Sequence, residues 1–258
     1  MRVLCLHGKG TSAKVFESQT SNIRSQLSIG NVQFDFVNGP NETTAAPGVD
    51  MFYQPPYYGF WEKATLEAVL KAVDWLKEYI AKKGPYDVVM SFSQGSIVAS
   101  SLLLLHQKES PDQPPPFKAG IFICGASSLR VLEALGFNIT QEALARDEAS
   151  VDALTKQADV SSIMSQGAER WKGDSFMQGR SEEEVRDEFQ GPFKIQIPTV
   201  HVYGAKDPRL GASLQLAGLC ESKNRRCYSH QGGHEIPRTS NVTAMITDMV
   251  EWALEFAE

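Results

Sequence analysis

The 258-residue sequence has little cysteine, four residues in all: Cys5, Cys124, Cys220 and Cys227. They form no C-x-x-C pair and show no metal-ligand spacing, which excludes a zinc ribbon or a disulfide framework. Cys5 and Cys124 lie inside apolar runs, where a thiol acts as a small buried hydrophobe. Nothing requires Cys220 and Cys227 to pair. No apolar run reaches the roughly 18 residues a membrane-spanning helix needs. The opening Met1-Arg2-Val3-Leu4-Cys5-Leu6-His7-Gly8 turns polar too soon for a secretory signal, so a reducing, cytoplasmic compartment is expected. Concentrated positive charge is missing too. The net charge is −6, and the densest basic group, Lys223 with Arg225 and Arg226, reads as a solvated turn. A nucleic-acid binder, which needs a basic stripe, is excluded.

What is present is an ordinary globular composition, 42% hydrophobic and 22% charged, on a chain long enough to bury a core without metals or disulfides. Short apolar runs alternate with helix-period segments, the pattern of a parallel sheet with helices on both faces. Strands are predicted at residues 3–6, 32–37, 86–90, 119–124, 198–203 and 226–229. Helices are predicted at about 13–27, 64–82, 94–106, 210–220 and 241–256. The segment 127–194 is more polar and helix-like, with Trp171, Phe176, Met177 and Phe189 as apolar anchors. It reads as a cap inserted over one face of a single domain spanning 1–258. Between Asn41 and Trp61, three prolines break regular structure and six aromatics crowd together. Such a loop is either pinned to the core by its own rings or placed against substrate.

The strongest chemical signal is Ser91-Phe92-Ser93-Gln94-Gly95, set between a predicted strand and a predicted helix. It differs at one position from G-x-S-x-G, the turn that lifts a serine hydroxyl clear of a sheet. Small neighbours are needed because strand and helix backbones nearly touch there, and Ser91, Gly95 and Ser96 are all small. The helix start behind Ser93 offers unpaired N–H groups to a developing oxyanion, that of Gln94 first. A nucleophile needs a base, and the base an orienting acid, following the serine in the order acid, then histidine. Asp207 ends the run Val202-Tyr203-Gly204-Ala205-Lys206-Asp207, and His234 stands in Gln231-Gly232-Gly233-His234. Both follow predicted strands, whose carboxyl ends can converge on one site. The loop after the first strand, His7-Gly8-Lys9-Gly10, would supply a second oxyanion donor through the Lys9 N–H. His230 and His234 are four apart, but no H-E-x-x-H is present, and a zinc site is rejected. No cofactor is required.

These residues, with the Pro55-Pro56-Tyr57-Tyr58-Gly59-Phe60-Trp61 block, resemble the fungal family of serine hydrolases, which also includes the ovarian-cancer-associated hydrolase of animals. The resemblance spans nearly the whole chain. It implies an α/β-hydrolase fold and an esterase or thioesterase, with Ser93, Asp207 and His234 as triad and Lys9 and Gln94 as oxyanion donors. It further implies release of a polyketide or fatty acyl chain from a carrier protein. Tyr57, Tyr58, Phe60 and Trp61 are the expected substrate contacts. Thioester or oxoester, and hydrolysis, transfer or cyclisation, stay open; a binding-only relic is disfavoured because all three triad members are present.

Overall fold

The computed structural model describes residues 1–173, 177 and 179–257; Phe176, one of the expected anchors, lies outside them. The chain runs β1 (Arg2–Leu6), α1 (Ala13–Gln19), α2 (Ser21–Ser25), β2 (Gln33–Val37), β3 (Asn41–Thr43), β4 (Tyr57–Gly59) and α3 (Leu66–Lys83). Next come β5 (Val88–Phe92), α4 (Gln94–Glu109), β6 (Ala119–Ile123), α5 (Leu129–Ala134), α6 (Gln141–Gln157), α7 (Val160–Gln166) and α8 (Glu182–Arg186). The last elements are β7 (Thr199–Gly204), α9 (Leu210–Gly218), β8 (Arg225–His230) and α10 (Ser240–Glu255).

Six strands form one parallel sheet in the order β2-β1-β5-β6-β7-β8. Side chains alternate across it. Leu4, Leu6, Val89 and Phe122 join the core beneath α3, α4 and α5, whereas Val3, Cys5, Met90 and Ile121 join the core beneath α1, α2 and α10. This two-faced burial explains why β5 and β6 read as continuous apolar runs rather than alternating ones. Strand order reverses between β1 and β5. The carboxyl ends of those two strands therefore flank the crevice where doubly wound sheets bind their ligands.

Three expectations need correcting. The helix expected over 13–27 is two helices, because the Thr20 hydroxyl donates to the Phe16 carbonyl at 2.9 Å and a new helix starts at Ser21. The strand expected at 86–90 lies two residues later, since the Asp87 side chain accepts the Arg2 N–H at 2.9 Å just before β5 begins. The stretch from Asn41 to Trp61 is not wholly irregular: β3 and β4 pair as an antiparallel ribbon, with Asn41 opposite Gly59 and Thr43 opposite Tyr57.

Among the described residues, the 17-residue α6 and the shorter α5, α7 and α8 occupy the 127–194 segment, and each begins on a residue suited to capping. The side chains of Ser128, Thr140, Asp159 and Ser181 accept the free N–H groups of Val131, Ala143, Ser161 and Glu184. Leu129, Leu132, Leu144 and Phe189 bury in the core shared with α3 and α4, while Leu154, Ile163 and Trp171 border the space above Ser93. No described helix is long and apolar enough to cross a membrane.

Candidate active site

Ser93 sits between β5 and α4 at φ 51°, a left-handed conformation that a serine adopts at a cost of about 1–3 kcal/mol. The surroundings hold it there. Its N–H donates to the Ile123 carbonyl at 3.1 Å. Gly95 permits the turn, because a Cβ there would lie 2.4 Å from the Leu6 carbonyl oxygen and 2.7 Å from that of His7. Ser91 is fully buried, and its hydroxyl is satisfied by Ser96 Oγ at 3.0 Å and the Ile121 carbonyl at 3.3 Å. A serine thus fills the place usual for glycine without leaving a buried polar atom orphaned.

The three separated residues meet. His234 Nε2 lies 2.9 Å from Ser93 Oγ, and His234 Nδ1 lies 2.8 Å from Asp207 Oδ2. The other Asp207 oxygen accepts the Arg209 N–H at 2.7 Å. Burial pushes the Asp207 carboxyl up, but the His234 partner and these hydrogen bonds outweigh it and hold the group below its ordinary value. The loops carrying acid and base are tied together by Ala205 N–H to the His230 carbonyl at 2.7 Å and Lys206 N–H to the Gly232 carbonyl at 2.9 Å. Gly204 is required for this approach, since a Cβ on it would come within 2.4 Å of the Gly232 and Gly233 carbonyls. The Phe92 ring flanks His234 at 5.3 Å between centroids.

On the other side, Gln94 is the first residue of α4, where backbone N–H groups have no intrahelical acceptor. Lys9, in the loop after β1, borders the same space as Ser93. Its ammonium is turned away, 2.9 Å from Glu62 Oε1, which leaves the backbone as its route to the site. The loop is anchored by the aromatic block. Gly10 N–H donates to the Tyr58 carbonyl at 2.9 Å, and Tyr58 N–H donates to Thr11 at 2.6 Å. The Gln94 side chain completes the clamp, accepting Phe60 N–H at 2.9 Å and donating to the Trp61 carbonyl at 2.9 Å.

That arrangement corrects the expected substrate contacts. Tyr57, Tyr58 and Phe60 line neither of the two cavities at Ser93; Trp61 alone of the four borders one. Phe60 is buried against His7 and Trp75, and the Tyr57 hydroxyl donates to the Tyr53 carbonyl. Apolar rings beside an antiparallel ribbon gain more from the core than from the cavity. The cavities themselves, about 760 and 600 Å³, meet at Ser93, His234, Lys9, Leu154 and Thr155.

Two participants escaped the sequence. His7 is buried in the loop after β1: Nδ1 lies 2.7 Å from the Gly8 carbonyl, and Gly39 N–H donates to Nε2 at 2.9 Å. Burial lowers its pKa to about 4, so it is neutral. Its place in His7-Gly8 directly after a strand was the available signal. Cys124, at φ 45° just past β6, brings its thiol close to the acid and base: one donor atom each from Cys124, Asp207 and His234 lie within 4.8 Å of one another. Burial, reinforced by the Asp207 charge, pushes that thiol well up and keeps it protonated. Both His234 nitrogens already have partners, so the trio is poorly suited to a metal ion. All four cysteines are free.

The parallel sheet, the turn at Ser93 and the hydrogen-bonded trio define an α/β-hydrolase. Crystal structures agree on the fold: esterase PE8 superposes with a TM-score of 0.52 at 17% identity, covering 98% of this chain and 92% of that one. A carboxylesterase from Mesorhizobium loti gives 0.52 at 12% identity, covering 97% and 88%. The family model described as "Serine hydrolase (FSH1)" matches residues 1–246, and the chain belongs to that family. Esterase FPY3 of Fusarium mangiferae is 32% identical over 240 residues, covering 92% of this chain and 89% of that protein. Esterase alnB of Emericella nidulans is 28% identical over 282 residues, covering 100% and 98%. The protein is a serine hydrolase.

Proposed function

We propose that this serine hydrolase cleaves acyl esters or thioesters through an acyl-serine intermediate on Ser93, and that its substrate is an apolar acyl chain delivered as a carrier-bound thioester. The observation that carries the chemistry is the unbroken chain from Ser93 Oγ through the imidazole of His234 to Asp207, at 2.9 and 2.8 Å. His234 takes the Ser93 proton as the oxygen attacks the acyl carbon. The oxyanion that forms is met by the N–H groups of Lys9 and Gln94, each such donor being worth about 3–4 kcal/mol in the transition state. Asp207, dry and hydrogen-bonded, holds the imidazole in the tautomer that exposes Nε2 and stabilises its charged form. Collapse of the intermediate expels the alcohol or thiol, which takes the proton from His234. Water then repeats the sequence and frees the acid.

The apolar walls of the smaller cavity, Trp61, Val69, Leu129 and Leu144 among them, support a hydrophobic acyl group. The relatives FPY3 and alnB carry the name esterase, which fits oxoester and thioester chemistry alike. Labelling with a fluorophosphonate should modify the wild type at Ser93 and leave Ser93→Ala unmodified, with turnover falling by about 10⁶-fold. Undiminished turnover in that variant ends the acyl-serine reading. A thioester series of rising acyl length, free and carrier-linked, tests the substrate. Preference for free acetyl esters overturns the carrier-bound apolar chain.

A further inference from the structure

The two cavities that meet at Ser93 differ in their free charges. In the larger, Lys9 is spent on Glu62, which leaves Arg170 and Arg238 as the cations. No described carboxylate pairs with either. Arg170 donates one Nη1 bond to the Gly167 carbonyl and stacks over Trp171 at 4.3 Å, and its Nε has no partner. Arg238 is exposed and reaches the Tyr53 phenol. Glu235, the carboxylate in this lining, is folded back onto its own loop: a Cβ at Gly232 would lie 2.4 Å from its Oε1.

The smaller cavity is different. Arg130 is paired with Glu133 at 3.3 Å and Arg209 with Asp147 at 2.7 Å. Its charges without an ion-pair partner among the described residues are Lys63 and two carboxylates, Glu148 and Asp152, one turn apart on α6. An anion is repelled from α6 there, whereas an apolar chain meets the walls already described.

Position assigns the two halves of the substrate. The leaving atom must take its proton from His234, which borders both cavities, and the four residues that follow it, Glu235 to Arg238, line the larger one alone. We propose that the larger cavity receives the leaving group, and that this alcohol or thiol carries an anionic group, a carboxylate or phosphate, held by Arg170 and Arg238. The assignment rests on the acyl-serine reading above. In the step it describes, the Ser93 Oγ–acyl bond forms as the bond from the acyl carbon to the leaving oxygen or sulfur breaks. The Ser93 proton passes through His234 to that leaving atom, and water later splits the acyl-serine.

Four hexanoyl or matched esters test this on the full chain. Two carry the anion on the leaving side, the hexanoyl esters of 4-hydroxybenzoate and of 4-hydroxyphenyl phosphate. The hexanoyl ester of methyl 4-hydroxybenzoate is the neutral reference, and the phenyl monoester of adipate places a carboxylate on the acyl side. Rates are normalised to sites counted by fluorophosphonate labelling, which removes misfolded protein from the comparison. The ratio of kcat/KM for a leaving-side anion over the neutral reference should fall by about tenfold in Arg170→Gln/Arg238→Gln, through KM. Arg238→Gln alone should lower it by about threefold. The better of the two anionic esters identifies carboxylate or phosphate as the natural group. A ratio that the double variant leaves unchanged, or a preference for the adipate ester, overturns the assignment while labelling persists. Loss of both labelling and turnover in the wild type overturns the acyl-serine reading and this one with it.

Discussion

Two histidines stand just beyond strand ends on opposite sides of Ser93, and their surroundings give them opposite work. His7, after β1, has Nδ1 against the Gly8 carbonyl and the Thr11 hydroxyl of its own loop and Nε2 against the Gly39 N–H, and is completely buried. His234, after β8, spends both on side chains from distant strands, Ser93 and Asp207, and keeps a tenth of its side chain exposed. An imidazole held by groups of its own loop and a neighbouring backbone N–H shapes that loop. One whose partners are a hydroxyl and a carboxylate can move a proton. The β1 side of the site is therefore a scaffold built of backbone and amide contacts, and the β8 side is a relay built of ionisable groups.

That contrast breaks most sharply at Asp207. Asp207→Asn preserves shape but favours the wrong tautomer of His234, so kcat should fall by about 10⁴-fold with little change in KM. Steady-state kinetics would contradict the relay if the loss were under tenfold. The scaffold side answers differently. Gln94→Ala strands the Phe60 N–H and the Trp61 carbonyl, two buried groups, and should cost about 2–4 kcal/mol of stability in urea denaturation. Turnover should fall with it, by up to about 100-fold, as the Lys9 loop loosens.

The buried imidazoles give the next effect. Burial lowers His7 to about 4 and His201 to about 3, against 6.5 for both in the unfolded chain. Because the folded protein resists the proton, their contribution is complete above pH 6.5 and is lost as pH falls through 4 and towards 3. Urea midpoints measured from pH 7 to pH 4 should decline by an amount worth a few kcal/mol. His201→Asn should flatten that decline, since His201 lies on β7, stacked against Phe122. An unaltered slope contradicts a buried neutral His201. The smallest effect belongs to Glu62→Gln. Its exposed pair with Lys9 should contribute under about 1 kcal/mol, and kcat should stay within about twofold, since the proposed role of Lys9 uses its backbone N–H and not its ammonium. A tenfold fall in kcat would instead assign the Lys9 ammonium a part in catalysis.

Local chemistry made much of this legible before the fold was known. The order of strands, the turn at Ser93 and the small residues around it follow from short-range sterics. Asp207 and His234 stood out because loops after buried strands in a parallel sheet share one edge. The aromatic block was harder. Its composition suited a substrate wall and a core plug equally, and only the pairing of β3 with β4 and the Gln94 clamp made it a scaffold for the Lys9 loop.

By itself, then, the chain's sequence pointed to the kind of sheet, the nucleophilic turn and the candidate acid and base, since each strand, turn or loop is marked by residues a few positions apart. The tertiary structure alone decided that Cys124 lies close to Asp207, that Phe60 faces the core, and that Arg170 and Arg238 border one cavity while Glu148 and Asp152 border the other. Those facts depend on which partners reach a side chain across tens or hundreds of residues. Pairing of that kind is set by packing, and no local pattern encodes it.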